Sequence, residues 1–343
     1  MRAYYPALVF ICFVSSVRGQ SGVVAVELHL YKPKDADSIY ILRFTRKNDF
    51  RVSYISQRTS LGYGTKVEGT KVNMAMYNNV SDMLGFGLTY KFIDFDLAFS
   101  LPQSHFQDTG LQNLTQFRLS GTYTSRKYLI RGYYFKSDGM VAVDEADQFK
   151  SSPDVSMVNA GIQFTYCFNF SRYSLRAATL QNELQHRSAG TFMIRTEPFY
   201  RKLGVGTVLV PTALDVPSLY GEQVGLRYAY APGLMVLPGY GYTWAMGEKF
   251  FVSPMIFLGT GLAVNVYKGD AGERTSINSE WEGSMTLNMG YNGPRTYAAI
   301  RSSFEMHYFM LDPSYFTTSN LKINLTIGYR FVSWEKSLPE KLF

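Results

Sequence analysis

Arg301, Ser303, Glu305 and His307 fall at alternate positions, with Phe304, Met306 and Tyr308 on the opposite parity. A β-strand points successive side chains to opposite faces, so the four polar groups would share one surface. A serine, a histidine and an acid on one surface are the parts of a nucleophilic hydrolase, in which imidazole takes the hydroxyl proton and carboxylate orients the imidazole. Spacing argues against that chemistry. At about 3.3 Å per residue, Ser303 and His307 stand ~13 Å apart on one strand. A triad would need members from neighbouring strands, so an enzyme is not expected.

Other chemistry is sparse. His29, His105 and His186 have no carboxylate or histidine at ligand spacing, and no metal or cofactor is expected. The two cysteines are Cys12 and Cys167, and Cys12 lies in the leader described below. That leaves neither a disulfide pair nor a cysteine zinc site. Asp138, Asp144, Glu145, Asp147 and Asp154 make the 136–154 link acidic, and a solvated loop accounts for them better than calcium. No glycine loop for phosphate is present. Gly239, Gly241, Gly259 and Gly261 read as strand glycines that relieve crowding.

The elements that would position these residues are long strands. From Leu321 to Phe331 apolar and polar residues alternate without an error. An ordinary strand runs about five or six residues, whereas a tilted membrane-spanning strand needs about nine to eleven. Similar alternation recurs over Leu84–Phe92, Phe95–Leu101, Phe117–Tyr123, Val158–Phe168 and Trp281–Tyr291. Charged residues are only 18%, below the roughly 25% usual for soluble proteins, while 26 Tyr and 25 Phe suit strands and interfacial girdles. Arg2, the apolar run Ala7–Val14 and Val17-Arg18-Gly19 read as a secretory signal cleaved before Gln20. Basic residues (34 against 27 acidic) are dispersed, without a run suited to nucleic acid.

Short turns at 46–49, 93–94, 124–126, 169–171, 247–249 and 292–294 alternate with long links at 102–112, 136–154, 181–189, 267–275 and 311–319. Short periplasmic turns alternating with longer external loops are the pattern of outer-membrane barrels. The expectation is an all-β, transmembrane, up-and-down antiparallel barrel of about 14 strands, with 12 as the alternative. Its parts are a signal peptide (1–19), a periplasmic lead or plug (20–37), the barrel (38–332) and a periplasmic tail (333–343). Pro211, Pro217 and Pro232 break the pattern over 200–232, where Gly204–Val210 and Gln223–Ala229 could each be a strand.

If the apolar faces meet lipid, the polar faces line the interior. That places Lys91, Arg118, Arg176, Arg301, Lys322 and Arg330 in the lumen, against Asp96, Glu280, Glu282 and Glu305. One reading is a basic eyelet that selects anions. The preferred one is a ladder of salt bridges filling the interior.

Several motifs together resemble a Bacteroidota family of unknown function, domain of unknown function 4421. They are Tyr77-Asn78-Asn79, Leu84–Lys91, Leu101-Pro102, Arg131-Gly132-Tyr133-Tyr134 and Tyr173–Ala178 with Gln185 and Arg187–Gly190. Gly290–Gly293 and Gly328–Phe331 complete the series. The resemblance implies an outer-membrane-barrel-like protein with no established activity, and so no catalytic residues to carry over. The expected function is a passive pore, solute-binding or structural barrel of the bacterial outer membrane with a mildly basic lumen. A barrel-embedded lipid hydrolase and a surface adhesion or assembly partner are the alternatives. Expected partners are outer-membrane lipids, the barrel assembly machinery that reads the aromatic last strand, and a small anionic solute.

Overall fold

The computed structural model describes residues 30–31, 37–46, 48–67, 70–78, 82–91, 93–101, 115–143, 149–205, 227–269, 272–311 and 314–332. The predicted signal, most of the predicted lead, the tail from 333, Pro211 and Pro217 lie outside them. Along the chain run β1 (Leu30–Tyr31), β2 (Ile41–Phe44), β3 (Asn48–Val67), β4 (Thr70–Asn78), β5 (Asp82–Tyr90), β6 (Ile93–Ser100) and β7 (Thr115–Thr124). After them come β8 (Tyr128–Val143), β9 (Phe149–Cys167), the helix α1 (Leu175–Leu180), β10 (Glu183–Gln185) and β11 (Ala189–Val205). The chain continues through β12 (Tyr228–Met246), β13 (Phe250–Gly269), β14 (Gly272–Asn292), β15 (Thr296–Leu311) and β16 (Ser314–Phe331).

Twelve of these strands close into an antiparallel barrel: β3, β5 to β9 and β11 to β16, with β16 returning to pair with β3 from Tyr315↔Gly64 to Phe331↔Asn48. β4 is an additional strand. It pairs with the far half of β3 and, through Ala75–Asn78, with the end of β8 beyond the bulge between Asp138 and Met140. The 14-strand expectation is corrected to twelve, the alternative count. In the described part of 200–232, β11 runs to Val205 and β12 starts at Tyr228.

Prolines misled the count for a physical reason. Pro lacks the N–H that a ladder needs, so it is tolerated at bulges and gaps. The β12–β13 ladder skips from Tyr230↔Val266 to Gly233↔Ala263 around Pro232, and from Val236↔Thr260 to Gly239↔Phe257 around Pro238. The β9–β11 ladder likewise skips Pro198, between Thr196↔Phe164 and Phe199↔Gly161. Each proline sits where one neighbour is already unpaired, and the strand continues through it.

Side chains alternate as the sequence predicts. On β16 Ile327 is 71% exposed, while Arg330 is 1% and Lys322 9% exposed. Phe95, Ile162, Leu258, Leu262 and Ile277 are exposed on other strands, so the outer surface carries an apolar belt. Aromatic pairs mark both of its edges. Tyr128–Phe164 (5.7 Å), Tyr242–Trp244 (5.0 Å) and Phe250–Tyr291 (5.5 Å) lie toward the end that carries the short turns. Tyr200–Tyr230 (6.3 Å) and Tyr308–Tyr315 (5.7 Å) lie toward the other.

Several predicted long links are strand. β8 and β9 occupy most of 136–154, and β13 and β14 meet across 270–271. Alternation fades there because a strand that projects beyond an apolar belt has polar surroundings on both faces. The 181–189 link is corrected more strongly: it lies at the short-turn end and folds inward. β1, β2 and β10 form a separate three-stranded sheet, and α1 packs with β10 beneath the wall. Tyr173, Leu175 and Ala178 from this segment join Met193, Leu237, Met255 and Phe257 of the wall in one buried apolar cluster. The plug is therefore built from β1, β2 and the β9–β11 connection.

Candidate functional site: a cationic lumen above a clasped plug

The polar half of the lumen is organised in rows across the ladder. Arg51 on β3 pairs with Gly87 on β5, and Gly87 with Asp96 on β6. With no side chain at Gly87, the guanidinium crosses β5; a Cβ there would stand 2.3 Å from Arg51 Nε. Arg51 donates to both oxygens of Asp94 (2.6 and 2.8 Å) and to Asp96 (2.6 Å). Further along the lumen Arg201 donates to Glu280 (2.5 Å), and His307 Nδ1 lies 2.8 Å from Arg201 and 3.3 Å from Glu282. Glu197 accepts from Tyr133 (2.6 Å) and Gln163 (2.9 Å). The Arg51, Arg201 and His307 pairs are the ladder that the sequence favoured.

The ladder leaves cations in excess: Glu197 and Glu305 also lack a cation within 4 Å, but more basic groups than acidic ones stay outside the pairs. Arg118 (β7), Arg131 (β8) and Lys322 (β16) line one cavity of about 70 Å³, together with Glu305. Arg131, Lys322, Glu305 and Arg301 (β15) line a second of about 90 Å³ nearer the plug. Among the described residues, none of these four cations has a carboxylate within 4 Å. Arg118 has only a cation–π contact with Phe135 (5.5 Å), and Arg131 a long bond to Ser120 (3.5 Å) that leaves its buried Nε–H unpaired. Among the described residues Glu305 itself accepts only from Asn320, at 3.5 Å. Lys322 is buried, and Arg118, Arg131 and Arg301 are half-buried; a buried charge without a partner costs about 3–5 kcal/mol.

Two predicted lumen residues lie elsewhere, and a third faces inward but is held by the structure. Lys91 is exposed in the β5–β6 turn, in a left-handed conformation (φ 57°), with its ammonium 5.1 Å from the Tyr90 ring. Its place was misjudged because alternation cannot show where a strand turns. Arg176 belongs to α1 of the plug and donates to the Thr124 carbonyl of the wall. Arg330 points inward but is consumed structurally: it donates to the carbonyls of Gly293 and Gln181 and to Asn292 (2.6 Å), under the Phe44 and Tyr297 rings. Arg118, Arg301, Glu305 and Lys322 do line the lumen. Arg131, Arg195, Glu197 and Arg201 are additional. On β8 both faces are rich in Tyr, Phe, Ile and Leu, which hides Arg131; on β11 the shared parity of 195, 197 and 201 was the available signal.

Ser303 and His307 both face inward, but His307 takes Arg201 and Glu282 as its polar partners and makes no hydrogen bond to a serine among the described residues. The hydrolase parts are present and unassembled.

Glu183 clasps the plug to the wall. One carboxylate oxygen meets Arg43 (2.8 Å), Arg126 (3.2 Å) and Arg176 (3.7 Å); the other accepts from Ser174 Oγ (2.6 Å). Burial alone would push this carboxyl up, but the three arginines and the hydroxyl outweigh it and hold it below the ordinary carboxylate range. Ser174 also caps α1 by accepting from Ala177 N–H (3.0 Å). Asn288 donates to the Ala178 carbonyl (2.7 Å) and Asn292 to that of Glu183 (2.8 Å), so α1 and β10 are fastened to β14 as well.

Fold and lumen together define a closed antiparallel β-barrel with an inward plug and an apolar outer belt. The chain belongs to the family described as domain of unknown function (DUF4421), whose model matches residues 35–331. No curated protein is matched by its sequence. Among solved structures it is similar to the outer membrane protease OmpT of Escherichia coli (9% identity, 83% of this chain and 96% of that one, TM-score 0.39). It is also similar to Ail, the attachment invasion locus protein of Yersinia pestis (12%, 83% and 99%, TM-score 0.21), and to the toluene transporter TodX of P. putida (8%, 84% and 91%, TM-score 0.26). At these scores the likeness stops at barrel architecture, and no residue role passes from them to this chain.

Proposed function

We propose that this protein is a plugged barrel of the bacterial outer membrane that holds a small anionic solute in its lumen, at Arg118, Arg131, Arg301 and Lys322. The observation that carries the reading is the convergence of four cations that the lumen's own carboxylates do not pair. The apolar belt, its aromatic edges and a last strand that ends Tyr329-Arg330-Phe331 support a lipid-embedded location and recognition by barrel assembly machinery. The clasped plug favours solute holding over a constitutively open pore.

Calorimetric titration of inorganic phosphate into the folded protein tests this. Binding is expected to weaken at least about tenfold, or about 1.4 kcal/mol, in Arg118→Ala and in Arg301→Ala, with heat-modifiable gel mobility retained. Equal affinity in the wild type and both variants, or no binding at all, would overturn it.

A further inference from the structure

Directly beyond the cationic cavity, on the side away from the plug, lies a further cavity of about 90 Å³. Phe135, Asn159, Glu305, His307 and Asn320 line both, so the two spaces meet. Their chemistry differs. The far cavity is walled by Leu61, Met157, Leu203, Ala231 and Phe316, with Phe135 at the junction. Leu61, Phe135 and Phe316 are buried at 3%, 5% and 1% exposure. Of the charged groups that reach this wall, Arg201, Glu280 and His307 are tied to one another or to Glu282, Lys202 is exposed, and Glu305 stands at the junction beside Asn320. One end of the combined space thus offers unpaired cations and the other apolar surface.

We infer that the ligand is an amphipathic anion, a small carboxylic acid with an aromatic or short aliphatic body, held head-down toward the plug. The inference rests on the anion reading above and adds the class of molecule. The carboxylate meets Arg118, Arg131 and Lys322; the apolar body enters the Leu61–Phe135–Leu203 end. Size limits the body. A cavity that accepts benzene measures about 150 Å³, close to what the two spaces supply together, so a single-ring acid matches them in size.

Equilibrium dialysis with the full chain in lipid nanodiscs, blanked against empty nanodiscs, separates the possibilities. The probes are benzoate, benzyl alcohol and inorganic phosphate. The acid is expected to bind at least about tenfold tighter than either of the others. Arg118→Ala should lose the acid and phosphate alike. Leu203→Asn should weaken the acid about tenfold and leave phosphate unchanged, and Leu203→Met should restore the acid. If phosphate binds and the acid binds no tighter, or the alcohol matches the acid, the amphipathic inference is overturned and the anion site stands. If neither anion binds, both readings fall. Heat-modifiable mobility of each variant reports folding, and a variant that fails it is replaced by Met157→Asn in the same test.

Discussion

Glu183 shows how one side chain can decide whether this lumen is closed. It touches arginines from β2, from the β7–β8 turn and from α1, and it caps the hydroxyl that caps the helix. Glu183→Gln keeps the shape and removes the charge, leaving three guanidiniums without an anion. The cost of breaking such a buried pair is about 3–5 kcal/mol, and it should appear as lost hydrogen-exchange protection over residues 173–186 while the wall strands stay protected. The pH dependence has a fixed sign. Because the folded carboxyl is held below its unfolded value, its stabilisation is fully present above the unfolded value of about 4.3 and is lost as pH falls through the folded value. Plug protection should therefore hold at neutral pH and fail in acid, and the Gln variant should lack that transition. A wild-type plug equally protected through the acid range would remove Glu183 as the clasp. None of this was legible in the sequence, where Glu183 sat in a link read as an external loop. Its partners lie 140, 57 and 7 positions away in the chain, and only the closed fold brings them together.

At the scale of elements, glycine and proline placement sets what the strands can carry. Gly87 exists to let Arg51 pass, so Gly87→Val should break the Arg51–Asp94–Asp96 row and destabilise the barrel by about 1–3 kcal/mol in urea unfolding. Gly132, where an added Cβ meets nothing within 4 Å, is the control, and Gly132→Ala should stay within about 0.5 kcal/mol. Pro238→Ala should also be near neutral, since the β12–β13 ladder already skips that position. A large loss there would mean that the proline enforces the gap. Alternation made β16 and β14 legible residue by residue because one face meets an apolar surround and the other a polar lumen. Over Leu129–Phe135 it failed, since the inward positions mix Leu129, packed on the plug, with Phe135, which lines the far cavity, around Arg131 and Tyr133. Strand count failed where proline was read as a stop. The anion site was half legible: parity gave Arg118, Arg301, Glu305 and Lys322, but not which cations the carboxylates would leave unpaired.

At the scale of the whole molecule, the inward wall carries Arg51, Arg118, Arg131, Arg195, Arg201, Arg301, Lys322 and Arg330 against Asp49, Asp94, Asp96, Glu197, Glu280, Glu282 and Glu305. These totals nearly cancel, so the lumen is not basic by composition. It is basic by arrangement: most of the carboxylates are drawn into pairs near the plug and along β14, and the cations left without such a pair gather around Glu197 and Glu305 and outnumber them. The measurement that tests this most directly is anomalous scattering from crystals soaked in selenate. The account predicts a selenium peak inside the barrel, within hydrogen-bond reach of Arg118, Arg131 or Lys322, that disappears in Arg118→Ala. Selenium found only on the outer surface, or a lumen peak unmoved by that substitution, would contradict it.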